Sequence, residues 1–397
     1  MSNEGSLTTL SVAWNRLKDV LGHLKKKLWP FEIRFKQRSS RLTFERAVGI
    51  RIISLFLGLL AVAFVFLAYG QNPLELYLEI FGVAFFTRYG IIGTLSRFIP
   101  LLLVAIGLAI PFRAKIDNIG AEGQLIVGAI AAAGVAFAFP ELPSALLIPL
   151  MFLTSFAAGA LWALPIAIFR VKSQFKGSDV VISFLLVFPA LYLVEYLVTG
   201  PWRDREGWGF PQSPLLPDAA RIPLIPGTTR IHLTIFVAVV LTLLIYQYLV
   251  RTKEGITETK LGYEINVMGE NPEAGEATGM SFLKVAIITV LLSGGLAGLA
   301  GVSEVAGNPN LYRLRMEIST GLGFTGIAVA WLGGLNPIGV IFSSLFFAAL
   351  LAGGIEIQAA GMPFGVVNLF NGAILFFVLV AEFFLRFTVE GRLRRDD

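Results

Sequence analysis

Long apolar runs follow one another along most of this chain and are separated by short polar stretches. A helix needs roughly 20 apolar residues to cross a bilayer, and these runs lack the alternation of barrel strands. We therefore predict an all-α integral membrane protein, a polytopic helical bundle of about ten transmembrane helices. The predicted spans are residues 52–69, 98–112, 119–139, 145–169, 180–198, 231–250, 285–305, 323–334, 338–353 and 366–385.

Two regions contain residues at which we expect the helices to be broken. Pro100 and Pro111 bracket a run that is too short to cross a membrane alone, and polar residues 118–123 follow at once. In the second half Pro337 follows a group of glycines, namely Gly323, Gly326, Gly333 and Gly334. Matching interruptions are typical of transporters built from two repeats. The sequence thus predicts two related halves with a pathway between them.

Residues 112–128 place several polar side chains within sequence that otherwise has membrane-spanning character. Four of them, Asp117, Asn118, Glu122 and Gln124, are called the polar wedge here. A charged group in hydrocarbon is destabilising by several kcal/mol unless it faces a cavity, a partner or the interface. The polar wedge is therefore the first candidate for a functional site.

Residues 251–284 form a long polar segment between two predicted spans, with six acidic and four basic residues. Asn271 can cap a helix whose first residue is Pro272, and Gly279 can end that helix. A short, capped, polar helix at this place offers a surface to a partner protein. The alternative is an ordinary solvated connector.

Composition excludes several classes of protein. Hydrophobic residues make up 55% of the chain and charged residues 15%, with a mean hydropathy of +0.74, so one soluble globule is excluded. The chain has no cysteine, which excludes disulfides and thiol catalysis. Its two histidines, His23 and His232, are too few for a metal centre. We predict no metal site and no catalytic site.

Positive charge is concentrated in residues 1–51, which hold eleven Lys or Arg and four Asp or Glu. The positive-inside rule places this segment in the cytoplasm, and an even number of spans returns the C-terminus there, in agreement with the basic tail. No signal peptide is expected. The predicted domains are a cytoplasmic basic amphipathic segment (1–46), a transmembrane domain (47–386) with an external loop (200–230) and a cytoplasmic loop (251–284), and a cytoplasmic tail (387–397).

Apolar residues recur at helical spacing in the N-terminal segment, at Leu10, Trp14, Leu17, Leu21, Leu24 and Leu28, beside three lysines. Such a stripe is typical of an amphipathic helix that lies on anionic membrane lipid. Pairing of this helix with another subunit is the alternative.

Several ordered motifs carry a family resemblance. They are NIGAEGQ at 118–124, YLVTGPW at 196–202, GYEINVMGENPEA at 262–274, LSGGLAGLAG at 292–301 and GFTGIAVAWLGGLNPIG at 323–339. With these motifs the chain resembles the permease subunits of bacterial ABC importers, in the nucleoside and simple-sugar branch of the branched-chain amino acid and ribose permease superfamily. The resemblance runs from about residue 72 to the last span. One departure is Val187, which stands where the family is expected to carry an amide within a span.

The resemblance implies a subunit of the bacterial cytoplasmic membrane that works with several partners. It implies a second, related permease in a heterodimer, a cytoplasmic ABC ATPase and an external substrate-binding lipoprotein, with no nucleic acid. The chain has no Gly-Lys pair of a phosphate-binding loop, so ATP and magnesium would be bound by the ATPase subunit. This chain itself is not expected to be an enzyme or to hold a cofactor. The family's coupling helix, which docks on the ATPase, matches Gly269, Asn271, Pro272, Glu273, Ala274 and Gly279.

A pathway for nucleosides or sugars needs a few hydrogen-bonding groups. The candidates are Asn118, Glu122, Gln124, Thr325 and Asn371. In the structural alternative, the three wedge residues among them bond neighbouring helices and hold the broken segment in place. Glycines such as Gly298 and Gly301 are expected to be close-packing positions between helices.

Two other functions stay open at this stage. An ion-coupled secondary transporter of small solutes would use Glu122 or Asp117 to carry protons. A membrane scaffold or enzyme is the other, although no nucleophile, base and orienting group cluster in the sequence.

Overall fold

The computed structural model describes residues 31–37, 43–173, 177–206, 209–253 and 256–393. The amphipathic stripe predicted over residues 10–28 lies outside these ranges. The helices are α1 (Phe44–Ala68), α2 (Pro73–Phe86), α3 (Arg88–Arg113), α4 (Ala121–Ala138), α5 (Ser144–Lys172), α6 (Ser178–Leu185), α7 (Val187–Thr199), α8 (Thr234–Ile245), α9 (Lys260–Glu270), α10 (Pro272–Ala277), α11 (Phe282–Gly307), α12 (Leu322–Leu332), α13 (Pro337–Ala359) and α14 (Phe364–Arg386). The strands are β1 (Phe31–Gln37), β2 (Thr252–Lys253), β3 (Ile256–Thr257) and β4 (Phe387–Leu393).

Eight helical spans of the described chain are long and apolar enough to cross a membrane, with α6 and α7 counted together as Ser178–Thr199. Two shorter apolar helices, Thr234–Val250 and Leu322–Leu332, complete the set of ten predicted segments. The first of them ends in a π-helical turn at Tyr246–Val250. The polytopic helical fold is therefore confirmed.

The predicted short span at 98–112 is wrong. α3 begins at Arg88 and has 26 residues, with both Pro100 and Pro111 inside it. The fixed φ of proline fits a helix, and the backbone groups that a proline leaves unbonded can be satisfied by neighbouring helices in a membrane protein. The chain is instead interrupted after α3, between Arg113 and Ala121.

The chain divides into two compact units, of which the smaller contains the described residues up to Phe56 and from Leu379 on. In it, β1 and β4 pair as an antiparallel ribbon, from Phe31 opposite Leu393 to Gln37 opposite Phe387. An ion pair joins Arg51 to Glu382 at 3.9 Å. Strands in this unit were not predicted, although Phe31, Ile33 and Phe35 alternate with charged residues, which was the available signal.

The larger unit, Leu57–Val378, has α11 at its centre. α11 packs against α3, α4 and α5 and is buried along most of its length. A Cβ atom at Gly298 would overlap the carbonyl of Ser155, and one at Gly301 would overlap the carbonyl of Leu125. Only glycine permits these backbones to approach so closely, as the sequence predicted.

Two loops at one end of this unit bind each other. The Arg313 guanidinium lies 2.7 Å from the Asp204 carboxylate, and Ser213 donates from its backbone N–H to the Leu314 carbonyl at 2.9 Å. His232, which precedes α8, is buried beside Gly307. Burial lowers the pKa of His232 to about 4, since a charged imidazole loses its hydration there. Apart from a 3-10 turn at Asp218–Ala220, the described residues of 200–206 and 209–233 are therefore held by tertiary contacts rather than by helices of their own.

Candidate functional site

The first junction, residues 114–120, connects α3 to α4. Its first residues turn back onto the end of α3, where the N–H groups of Ala114 and Ile116 both donate to the Pro111 carbonyl. Side chains bind its free backbone groups: the Asp117 N–H donates to Asp179 Oδ2 at 2.9 Å, and the Ile119 N–H donates to Ser183 Oγ at 3.0 Å. Asp179 and Ser183 are buried residues of α6. Non-helical backbone next to membrane-spanning helices is tolerated here because protein groups satisfy it.

Asn118 and Gln124 bind each other across the first turn of α4. The Asn118 Nδ2 donates to Gln124 Oε1 at 3.0 Å, and the Gln124 Nε2 donates back to Asn118 Oδ1 at 2.9 Å. Asn118 Nδ2 also donates to Ser293 Oγ of α11 at 3.0 Å. Both amide side chains are almost completely buried. These hydrogen bonds agree with the alternative in which the wedge side chains bond neighbouring helices and hold the broken segment in place.

Glu122 connects the two halves of the chain. Its Oε1 accepts from the Gly321 N–H at 3.1 Å and its Oε2 from the Gly323 N–H at 2.7 Å. Glu122 is in the first turn of α4, while its partners begin α12, so the carboxylate lies at the positive ends of two helices. Gly321 has φ +83°, and a Cβ at Gly323 would overlap the backbone of Glu122. Both glycines are therefore required by this contact.

The second junction, residues 333–336, connects α12 to α13. Asn336 Oδ1 accepts from the Ile338 N–H at 3.0 Å and caps α13, while Leu335 has a left-handed φ of 57°. Arg113, the last residue of α3, donates to the Leu335 carbonyl at 3.3 Å. The interruption predicted before Pro337 is present, whereas the first interruption lies after α3 and not at Pro100 or Pro111. The second junction lies beside the start of the first.

Thr325 and Asn371 have different surroundings. Thr325 is half-buried in the first turn of α12 and donates to the Gly321 carbonyl at 3.0 Å, so it belongs to the same cluster as Glu122. Asn371 is half-buried on α14, next to Phe370, whose ring packs near that of Tyr77 at 6.5 Å. The described hydrogen bonds do not join Asn371 to the junctions. Four of the five pathway candidates are thus brought together.

The predicted capped helix is α10. Asn271 Oδ1 accepts from the Ala274 N–H at 3.2 Å, Pro272 is the first helical residue, and Gly279 has φ +85°. Glu273 and most of its neighbours are exposed. Because the side chains of this short helix point outward, it is available to a partner protein.

Gly269 differs from the rest of the predicted coupling residues because it is buried. A Cβ at this position in α9 would overlap the carbonyl of Arg113. Arg113 also donates from Nη2 to Asn266 Oδ1 at 2.9 Å. Gly269 therefore attaches the segment to the membrane helices, whereas α10 is free on its outer side.

Sequence reasoning missed the roles of Asp179, Asn266 and Arg170. Asp179 forms an ion pair with Arg170 at 3.3 Å in addition to its bond with the first junction. These partners are distant in sequence, and no local pattern shows which polar groups meet. An acidic residue at the start of an apolar helix, such as Asp179, was the available signal.

Comparison with known proteins gives consistent matches. A family model described as branched-chain amino acid transport system / permease component matches residues 90–379. The glucose ABC transporter permease protein TsgB13 of Haloferax volcanii is 35% identical over 354 residues, which cover 86% of this chain and 90% of that protein. The guanosine ABC transporter permease protein NupP of Bacillus subtilis is 31% identical over 357 residues, covering 87% and 96%. A second protein of that bacterium, the guanosine ABC transporter permease protein NupQ, is 28% identical over 259 residues, covering 64% and 78%.

Proposed function

Since the chain belongs to the permease family of the branched-chain amino acid transport system, we propose that it forms the membrane pathway for a nucleoside or a simple sugar in an ATP-driven importer. The match along most of the chain to permeases named for glucose and guanosine is the observation that carries this proposal. These relatives differ in their named solute, so the proposed class includes both nucleosides and sugars.

The partners follow from the same match and from exposed surfaces. NupP and NupQ come from one organism and both resemble this chain, which supports a second, related permease as its partner in a heterodimer. The exposed α10, with Glu273 and Ala274 at its start, fits docking on an ATPase that binds ATP and magnesium. The predicted external loop, residues 200–230, is the surface proposed for an external binding lipoprotein.

In this arrangement α10 and both termini lie in the cytoplasm of a bacterial cell. The positive charge of residues 1–51 and the basic tail agree with this orientation. Closure of the ATPases would move α9 and α10. This movement would shift the equilibrium between the inward-facing and outward-facing conformations of the membrane helices. The solute undergoes no covalent change.

The proposed pathway residues are Asn118, Glu122, Gln124, Thr325 and Asn371. Among them Thr325 and Asn371 are only half-buried, which makes them the more accessible groups. The three wedge side chains are buried and satisfied by protein partners, so solute contact at the wedge would require these bonds to open during transport.

Uptake into vesicles tests the proposal. The chain, purified with its associated subunits, is reconstituted with ATP on the α10 side, and labelled nucleosides and sugars are supplied on the other side. We expect uptake that requires ATP and is unaffected by a protonophore. Uptake that persists without ATP and stops when the proton gradient collapses would instead support a secondary transporter, and a purified complex that lacks any ATPase would contradict the proposal.

A further inference from the structure

The segment that carries α10 is attached to the membrane helices at the end of α3. Gly269 of α9 packs directly on the backbone of Arg113, as described above. The Arg113 guanidinium donates to Asn266 of the same helix at 2.9 Å. Because α9 and α10 are separated by Asn271 alone, a force on α10 reaches this attachment through a short, hydrogen-bonded connection.

The same guanidinium also binds the second junction. Its Nη1 donates to the Leu335 carbonyl at 3.3 Å, while Nη2 faces Asn266. Arg113 itself immediately precedes the first junction. One planar cation therefore joins α9 to both interruptions of the membrane helices. A lysine could not reproduce this, because its ammonium is a point charge and lacks the rigid fork of donors.

Arg170 forms a second link of the same kind. It is in the last turn of α5, and its guanidinium carbon lies 5.6 Å from the ring centre of Phe282, the first residue of α11 after α10. It forms an ion pair with Asp179 at 3.3 Å, although its Nε donates no hydrogen bond. Asp179 in turn accepts from the Asp117 N–H at 2.9 Å. This link enters the first junction at its centre.

We propose that Arg113 and Arg170 are positioning residues that transmit movement of α9 and α10 to the two junctions. Neither touches the solute. This inference rests on the proposed function, because it assumes an ATPase that moves α10. It assigns these two arginines a task beyond setting the orientation of the chain in the membrane, since each makes specific contacts in two directions.

The test compares coupling in reconstituted complexes that carry Arg113→Lys or Arg113→Gln. Loss of the charge-assisted hydrogen bonds is expected to lower solute uptake per ATP hydrolysed about tenfold, with ATPase activity retained. The matched control is Lys172→Gln, which removes an exposed charge at the end of α5, outside both junctions, and should leave the ratio unchanged. Arg170→Lys is expected to act in the same direction, with the same control.

A second set of variants separates coupling from folding. Asn266→Ala removes the oxygen that accepts from Arg113 and leaves the arginine in place. The double variant with Arg113→Gln should therefore show the same uptake per ATP hydrolysed as Arg113→Gln alone. Asn266 also donates to Thr257 Oγ1 at 2.7 Å, and Thr257→Val serves as the control for that bond.

The outcomes distinguish the two proposals. If the wild-type complex shows no ATP-dependent uptake, the proposed function fails. If the wild type transports and the variants at Arg113, Arg170 and Asn266 keep its ratio of uptake to ATP hydrolysis, the inference is overturned. Additive effects of Arg113→Gln and Asn266→Ala would also contradict it, because the two groups would then act independently.

Discussion

Replacement of Glu122 by glutamine tests how strongly the two halves are joined. The carboxylate accepts one backbone N–H on each oxygen, from Gly321 and from Gly323. A glutamine keeps one acceptor oxygen but turns an NH2 group toward the second N–H, which leaves that buried donor without a partner. The substitution changes the volume of the side chain very little, so the effect reports on hydrogen bonding.

The magnitude follows from these two contacts. A hydrogen bond to a charged group contributes about 1.5–3 kcal/mol, and an unsatisfied buried donor is destabilising by about 1–3 kcal/mol. The first turn of α12 also loses a negative charge at its positive end, an effect of about 0.3–1 kcal/mol. We expect Glu122→Gln to weaken the contact by about 3 kcal/mol in total.

The assay combines thermal unfolding with transport by the purified complex. Glu122→Gln is expected to lower the unfolding midpoint, whereas Glu79→Gln, an exposed acid on α2, should not. Equal midpoints for the two variants would refute the reasoning about this contact. Reduced yield with normal uptake per folded complex would favour a structural role of the wedge, while reduced uptake at normal yield would favour a role in the pathway.

Three other perturbations have expected outcomes. Glu273→Arg should leave the chain folded and lower uptake per ATP hydrolysed, because Glu273 is exposed at the start of α10; unchanged uptake would remove this assignment. Gly298→Leu should prevent folding, whereas Gly82→Leu should be tolerated because no atom lies within 4 Å of its added Cβ; this is read from the yield of monodisperse protein. The free energy of unfolding should decrease as the pH falls from about 6.5 to 4, because His232 becomes protonated in the unfolded chain at a higher pH than in the folded protein. His232→Asn should flatten this dependence of the unfolding midpoint on pH.

The sequence predicted features that depend on neighbours along the chain. The ten apolar segments follow from length and hydropathy, and the cap of α10 follows from Asn271 and Pro272. The length of α3 was not predictable from Pro100 and Pro111, because the effect of a proline depends on which groups surround the helix.

Long-range contacts were the part that sequence reasoning could not supply. Glu122 and Gly321 are 199 residues apart, and Arg113 and Asn266 are 153 apart. Hydropathy indicates that a polar group in an apolar segment needs a partner, but many polar groups in the chain could serve. The wedge was therefore recognised as unusual, while its partners became known only from the packing of the helices.

The two interruptions of the membrane helices require each other. Backbone N–H groups at the start of α12 are bound by Glu122, which follows the first junction, and the carbonyl of Leu335 in the second junction is bound by Arg113, which precedes the first. Each half thus satisfies polar backbone groups that the other half leaves without a helical partner. A polar wedge in an apolar sequence is then a requirement of joining two broken helices, and its charge alone does not identify a binding site. Solute selectivity should consequently respond more to half-buried Thr325 than to buried Asn118, as uptake by Thr325→Val and Asn118→Ala complexes of matched yield would reveal.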